Sequence, residues 1–186
     1  MRSTLPIFAF ALAASAPALA TELVPVQQFR SVELRGGGEI TVVPGPAQRV
    51  TILQGSTSYT RFTVDGQGKL KIDACYRQCP RNFNLQIRIE SPRVPDVAIQ
   101  GGGAIKATGG FAAQNHLSAA INGGGTIDMR SLDAVGVSAA VNGGGRIFVR
   151  PRNQLNAAVR GGGEIRYIGN PQVAMAVSGG GDVRRD

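Results

Sequence analysis

The chain has 186 residues, 17% of them charged and 5% aromatic, with 26 glycines, two cysteines, one histidine and a formal net charge of +8. One histidine and two cysteines argue against a structural zinc site, which wants four nitrogen or sulfur ligands, and no cofactor or metal is implied. The basic excess favours anionic partners, but the scarcity of aromatic residues and the lack of a basic helix argue against nucleic acid.

The chain opens with Arg2, an apolar run over residues 5–14 and then Ala18-Leu19-Ala20, the small-x-small pattern of a signal peptidase site. Residues 1–20 are therefore expected to be a cleaved signal peptide, leaving residues 21–186 as one domain with a net charge of +7 once Arg2 is lost. The run is too short, and too broken by Pro6 and Pro17, to span a membrane. The expected destination is the periplasm, the cell surface or the exterior, with no membrane span after cleavage.

Residues 21–96 read as an irregular N-terminal β region. After a first glycine triplet at Gly36 come β-prone segments at 50–53, 62–64, 70–72 and 84–89, with Asp65-Gly66-Gln67-Gly68 as a hairpin turn between two of them. Cys75 and Cys79 lie in Cys-Tyr-Arg-Gln-Cys. An even count in an oxidising compartment favours a disulfide, whereas a redox pair would show the tighter Cys-x-x-Cys spacing. Closing so short a loop contributes about 2 kcal/mol in the chain-entropy model, enough to pin one turn.

Residues 97–186 are organised by repetition. Gly-Gly-Gly triplets begin at Gly36, Gly101, Gly123, Gly143, Gly161 and Gly179, the last five separated by 22, 20, 18 and 18 residues. Each has an aliphatic residue two places before it and Ile or Val two places after it. Leu117, Ala119, Ile121, Ile127 and Met129 share one parity, the period of a strand with one buried face. In a helix each glycine would cost about 1 kcal/mol against alanine, so a helical reading fails. The triplets then meet a steric need, either positive-φ bends or backbone packed too closely for a Cβ. One copy buries side chains worth about 5 to 10 kcal/mol against roughly 20 to 40 kcal/mol of backbone entropy, so copies must stack. The expected fold is all-β, mainly a parallel, right-handed β-helix with coils of about 18 to 22 residues and a glycine ladder along it.

The repeated apolar-x-Gly-x-Gly-x-Ile/Val motif, the segment Val64-Asp65-Gly66-Gln67-Gly68-Lys69-Leu70-Lys71-Ile72 and the signal peptide resemble the autotransporter adhesin head domain, or head GIN domain, family of bacterial exported proteins. The resemblance runs from about Val32 onward and implies a β-solenoid with an adhesin-type role. Family members more often carry serine in the middle of the triplet, where this chain has glycine.

Outward positions should carry function, because inward ones are committed to packing. The column Lys106, Asp128, Phe148, Arg166 and Arg184 mixes charge with an aromatic, and Arg130, Arg150 and Arg152 lie near it. Arg130, Arg146, Phe148, Arg150 and Arg166 are the candidate ligand-binding strip, suited to an anionic polysaccharide or another acidic envelope component. Asn122 over Asn142 reads as a structural amide ladder. Catalysis is not expected: the acids are scattered, only Glu164 and Asp182 stack, and His116 has no nucleophile beside it. The expected function is a non-enzymatic envelope or surface binding module, with a carbohydrate-active hydrolase or lyase, or a purely structural envelope protein, as alternatives. The C-terminal edge, without a capping element, is a place for self-association.

Overall fold

The structure is a computed structural model that describes residues 21–186; the signal-peptide reading concerns residues that lie outside it. The described residues form fifteen strands and no helix, joined in one mixed sheet. The N-terminal region contributes β1 (Glu22–Val24), β2 (Ser31–Gly36), β3 (Glu39–Pro44), β4 (Arg49–Gln54), β5 (Arg61–Val64), β6 (Lys69–Asp73) and β7 (Gln86–Ser91). The repeats contribute β8 (Asp96–Gly101), β9 (Ala104–Ala107), β10 (Gln114–Gly123), β11 (Thr126–Gly143), β12 (Arg146–Arg160), β13 (Glu164–Tyr167), β14 (Gln172–Ser178) and β15 (Asp182–Arg185).

The strands fall into two ladders that meet along the triplets. Strands entering a triplet pair in parallel in the order β2, β8, β10, the second part of β11, the second part of β12, and β14, with β6 added beyond β2. Strands leaving a triplet pair in parallel in the order β3, β9, the first part of β11, the first part of β12, β13 and β15, with β7 added beyond β3. Registers repeat the triplet spacing: Ala119 opposes Val97, Val137 opposes Leu117, Leu155 opposes Val137 and Val173 opposes Leu155.

The expected all-β class holds, but the sheet is not parallel throughout. β5 adds antiparallel to β6, and β4 and then β1 add antiparallel beyond β7. Nor does spatial order follow chain order, since β2 lies between β6 and β8. Of these antiparallel pairs only β5 and β6 form a hairpin, whose short connection pairs the outer N–H and C=O groups of β6 that a parallel ladder would leave open. The Asp65 side chain fixes that hairpin, its Oδ1 accepting from the N–H groups of Gln67 and Lys69, both at 3.0 Å.

Inward side chains stack as parity requires. Leu117, Ala119 and Ile121 lie over Val137, Ala139 and Val141, then Leu155, Ala157 and Val159, all buried, while Ile105, Ile127, Ile147 and Ile165 form the matching column on the other ladder.

Both steric needs weighed for the triplets are present, together at the first glycine and as close approach alone at the third, as one copy shows. Gly143 has φ +126°, and a Cβ there would stand 2.5 Å from the Gly123 carbonyl oxygen of the preceding copy. At Gly145 a Cβ would lie 2.6 Å from Ile121 Cγ2 and 2.8 Å from the Gly125 carbonyl oxygen. The middle glycine, Gly144, has nothing within 4 Å of such a Cβ. Backbone pairing continues through the crowded line, with Gly144 N–H donating to the Gly123 oxygen at 3.0 Å and Arg146 N–H to the Gly125 oxygen at 2.9 Å.

Candidate functional site

The two ladders share an inward chemistry and differ on the outside. On the leaving ladder, register places Lys106, Asp128, Phe148, Arg166 and Arg184 in one outward column and Ala104, Thr126, Arg146, Glu164 and Asp182 in the next. Carboxylates in these columns pair with arginines across and along the strands. Arg130 donates from Nε and Nη2 to Asp128 at 3.0 and 2.6 Å, and its guanidinium carbon lies 4.7 Å from the centre of the Phe148 ring. Arg166 bonds Glu164 at 2.8 Å and Asp186 at 3.1 Å, while Arg130 is 3.8 Å from the same Asp186 carboxylate.

Arg146 approaches Glu164 at 3.8 Å. Arg150 and Arg152 both face Asp133, at 4.0 and 2.7 Å. The structure therefore joins Arg130, Phe148 and Arg166 into one cluster, ties Arg146 to it through Glu164, and places Arg150 with a different carboxylate. Every arginine of the predicted strip has an acidic partner.

Those partners set the charge states. Burial pushes the Asp128 carboxyl up, but the bonds from Arg130 outweigh it and hold the group below the usual carboxylate range. The Arg166 hydrogen bond, with Arg184 and Arg146 nearby, holds Glu164 low as well. Glu164 and Asp182 do stack, yet Arg184 bridges them at 2.6 and 3.3 Å, so Glu164 is held ionised and is poorly suited to general-acid work.

The entering ladder carries a different surface, which the residue types in the sequence did not single out. Ala98, Ala120, Ala140, Ala158 and Ala176 face outward in register and form the floor of a groove of about 480 Å³. Gln100, Asn122, Asn142, Arg160 and Ser178 line one side of it. A continuation of about 430 Å³ runs past Ser118, Ser138 and Asn156 to Met175. The groove has a concave, small-residue floor because alanine leaves room where larger side chains would fill it.

The amide ladder expected at Asn122 and Asn142 is not formed. Among the described residues, no hydrogen bond joins the side chains of Gln100, Asn122 or Asn142 to one another or to any other residue, and all three are exposed. Their donors and acceptors are directed to solvent. Arg160 likewise has no carboxylate within 4 Å among the described residues. The one signal for this groove in the sequence is alanine three places before each of the last five triplets.

The column ends where alanine gives way to Glu33, in register with Ala98. Glu33 is buried and bonded to Arg35 at 2.5 Å and Lys69 at 3.3 Å. Burial pushes its carboxyl up, and the two cations more than offset that, leaving it below its ordinary value.

Cys75 and Cys79 form the expected disulfide, with an S–S distance of 2.06 Å. His116 is exposed at the start of β10. Among the described residues no helix is long and apolar enough to cross a membrane, and no group of three or more His, Cys, Asp or Glu side chains could hold a metal ion.

Residues 96–171 match the family model described as "Putative auto-transporter adhesin, head GIN domain". Among solved structures, a "putative adhesin" from Bacteroides fragilis NCTC 9343 is 20% identical, with 90% of this chain and 96% of that chain covered and a TM-score of 0.45. A "putative lipid binding protein" from Parabacteroides distasonis ATCC 8503 is 16% identical over 90% and 96%, with a TM-score of 0.37. A "putative cell adhesion protein" from Clostridium sporogenes ATCC 15579 is 10% identical over 90% and 99%, with a TM-score of 0.39. No curated protein matches the chain.

Proposed function

From a repeat region that matches the head GIN domain family, we propose that this chain is an exported, non-enzymatic envelope or surface module of adhesion type that binds a glycan chain along the alanine-floored groove. In this reading the repeats wind as successive coils of a right-handed β-solenoid, and the signal peptide directs export. The observation that carries the reading is the contrast between the two outward faces. On the leaving ladder Arg130, Arg146, Arg150, Arg152, Arg166 and Arg184 are paired with carboxylates, whereas among the described residues the groove presents Gln100, Asn122 and Asn142 amides with no protein partner and an uncompensated Arg160. Strand spacing repeats these groups every 4.7 to 4.9 Å, a periodic set of donors and acceptors for a periodic hydroxylated polymer. Arg160 adds a place for an acidic substituent, and the arginine strip becomes scaffold.

The test is a screen of residues 21–186 against bacterial envelope and host glycans, with reducing-end release measured in parallel. Saturable binding that falls at least tenfold in an Asn122→Ala, Asn142→Ala double variant, without product, supports the proposal. Turnover, or binding indifferent to both asparagines, overturns it.

A second copy of the chain is the partner proposed for the C-terminal edge. β14 and β15 each pair on one side only, and Met175 is 64% and Val177 44% exposed where Ala157 and Val159, one copy earlier, are buried. β14 carries no charge, and Val173, Met175 and Val177 read alike in both directions. An antiparallel copy would set Met175 against Met175 and Val173 against Val177. Light scattering should give a dimer that Met175→Lys returns to monomer; a monomeric wild type at high concentration overturns it.

A further inference from the structure

At the end of the entering ladder opposite β14, the disulfide loop gathers cations without acids. Tyr76 sits inside the Cys75–Cys79 ring, and its N–H donates to the Tyr59 carbonyl at 3.1 Å. The guanidinium carbon of Arg61 on β5 lies 4.3 Å from the centre of the Tyr76 ring, and that of Arg77 lies 5.1 Å from it. Both cations are therefore within about 10 Å of each other, comparable to a Debye length, so salt does not fully screen their repulsion. Register sets Arg61 opposite Asp73, yet the Asp73 carboxylate pairs with Arg35 at 3.8 Å instead.

Among the described residues neither Arg61 nor Arg77 has a carboxylate within 4 Å or donates a side-chain hydrogen bond. Arg81 follows on the same loop, exposed and equally without an acid. The Arg77 backbone lies within the ring closed by the Cys75–Cys79 bond, its carbonyl oxygen 2.8 and 3.3 Å from the two sulfurs, while its side chain is exposed. On the outer face of the leaving ladder, by contrast, Arg130, Arg150, Arg152, Arg166 and Arg184 all have acidic partners.

We propose that Arg61 and Arg77, held over Tyr76 by the Cys75–Cys79 loop, form a binding site for the oxyanion of an acidic polysaccharide, separate from the groove. The guanidinium fork suits a sulfate or carboxylate through paired charge-assisted hydrogen bonds, and the cation–π contacts orient both forks before the ligand arrives. Single-stranded nucleic acid is disfavoured, because base stacking needs an open aromatic face, and the Tyr76 ring packs against two guanidiniums while Tyr59 and Phe83 pack edge-on against each other.

The experiment uses residues 21–186 and two probes, heparin for sulfate and polygalacturonate for carboxylate, with a single-stranded oligonucleotide alongside. An Arg61→Ala, Arg77→Ala double variant should lose at least tenfold in affinity for one of the polysaccharides. The charge-matched Arg150→Ala, Arg152→Ala variant should stay within about twofold, which separates a site from the general basic charge. A Cys75→Ser, Cys79→Ser variant with an unchanged far-ultraviolet spectrum should also bind more weakly, because the loop no longer fixes Arg77. Equal losses in the two arginine pairs, or tighter oligonucleotide binding through Arg61 and Arg77 than polysaccharide binding, overturn the proposal. The groove asparagine variant should leave this affinity intact, so failure here and failure of the groove are read separately.

Discussion

The strand that enters each triplet and the strand that leaves it make the same inward bargain and opposite outward ones. Both bury aliphatic residues in register, as Ile121 over Val141 and Ile127 over Ile147 illustrate. Outside, the leaving strands carry carboxylates bridged by arginines from neighbouring copies, with Glu164 touched by Arg146, Arg166 and Arg184. The entering strands carry alanine and uncharged amides with no partner. A surface saturated by its own ion pairs has little left to offer a ligand, whereas unpartnered groups over a shallow floor do. Counting arginines favours the leaving strands as a ligand face, whereas counting their acidic partners favours the groove.

The largest effect is expected where the two strands join. Gly145→Ala would drive a Cβ into Ile121 Cγ2 and the Gly125 carbonyl oxygen, 2.6 and 2.8 Å away. Neither backbone nor β-branched side chain can yield cheaply, so urea unfolding should show a loss of about 2 to 4 kcal/mol. Gly144→Ser, one position earlier, meets nothing within 4 Å and should stay within about 0.5 kcal/mol. Equal effects at the two positions would mean that the triplet acts through chain flexibility and not through close approach of copies.

A smaller effect is expected where the contrast between ladders breaks down, at Glu33 in the otherwise small, neutral column. Glu33→Gln leaves Arg35 and Lys69 without their buried partner, and because both cations are partly exposed the cost should be about 1 to 2 kcal/mol. The pH dependence has a definite sign. Glu33, Asp128 and Glu164 all have folded pKa values below their ordinary ones, so their stabilisation is complete above the unfolded values near 4 and is lost as pH falls through the folded values. Wild type should lose stability below about pH 4, and Glu33→Gln should flatten that decline. An unchanged acid limb in the variant would remove Glu33 from the account.

The repeat half of the fold was legible because its information is local and periodic. Parity named the inward residues, and triplet spacing equalled the register offsets, since stacking identical units leaves few other pairings. The antiparallel additions at the other end were not legible. β6 pairs under β2 and β7 under β3 across long stretches without a triplet, so no repeat announces the partner. The hairpin at Asp65 could be read from its turn residues, but not where it would dock. For the site, Arg130, Phe148 and Arg166 do converge, yet Asp186, which joins the first to the last, lies far along the chain and gave no reason to be placed there. The groove was visible only as a recurring alanine, a residue whose chemistry suggests nothing until register turns five copies into a floor.

The smallest stability effects should divide the two faces most cleanly. Arg166→Ala removes bonds to Glu164 and Asp186, but the pairs lie at the surface and are screened, so the loss should be small and shrink further in high salt. Arg160→Ala removes no ion pair among the described residues and should leave stability unchanged within about 0.5 kcal/mol. Glycan affinity should behave in the reverse order, falling for Arg160→Ala while Arg166→Ala keeps it. Denaturation and binding measured on the same two proteins thus form a double dissociation. If Arg166→Ala instead weakened binding and Arg160→Ala did not, the ligand would lie along the leaving strands, and their ion pairs would have to open to receive it.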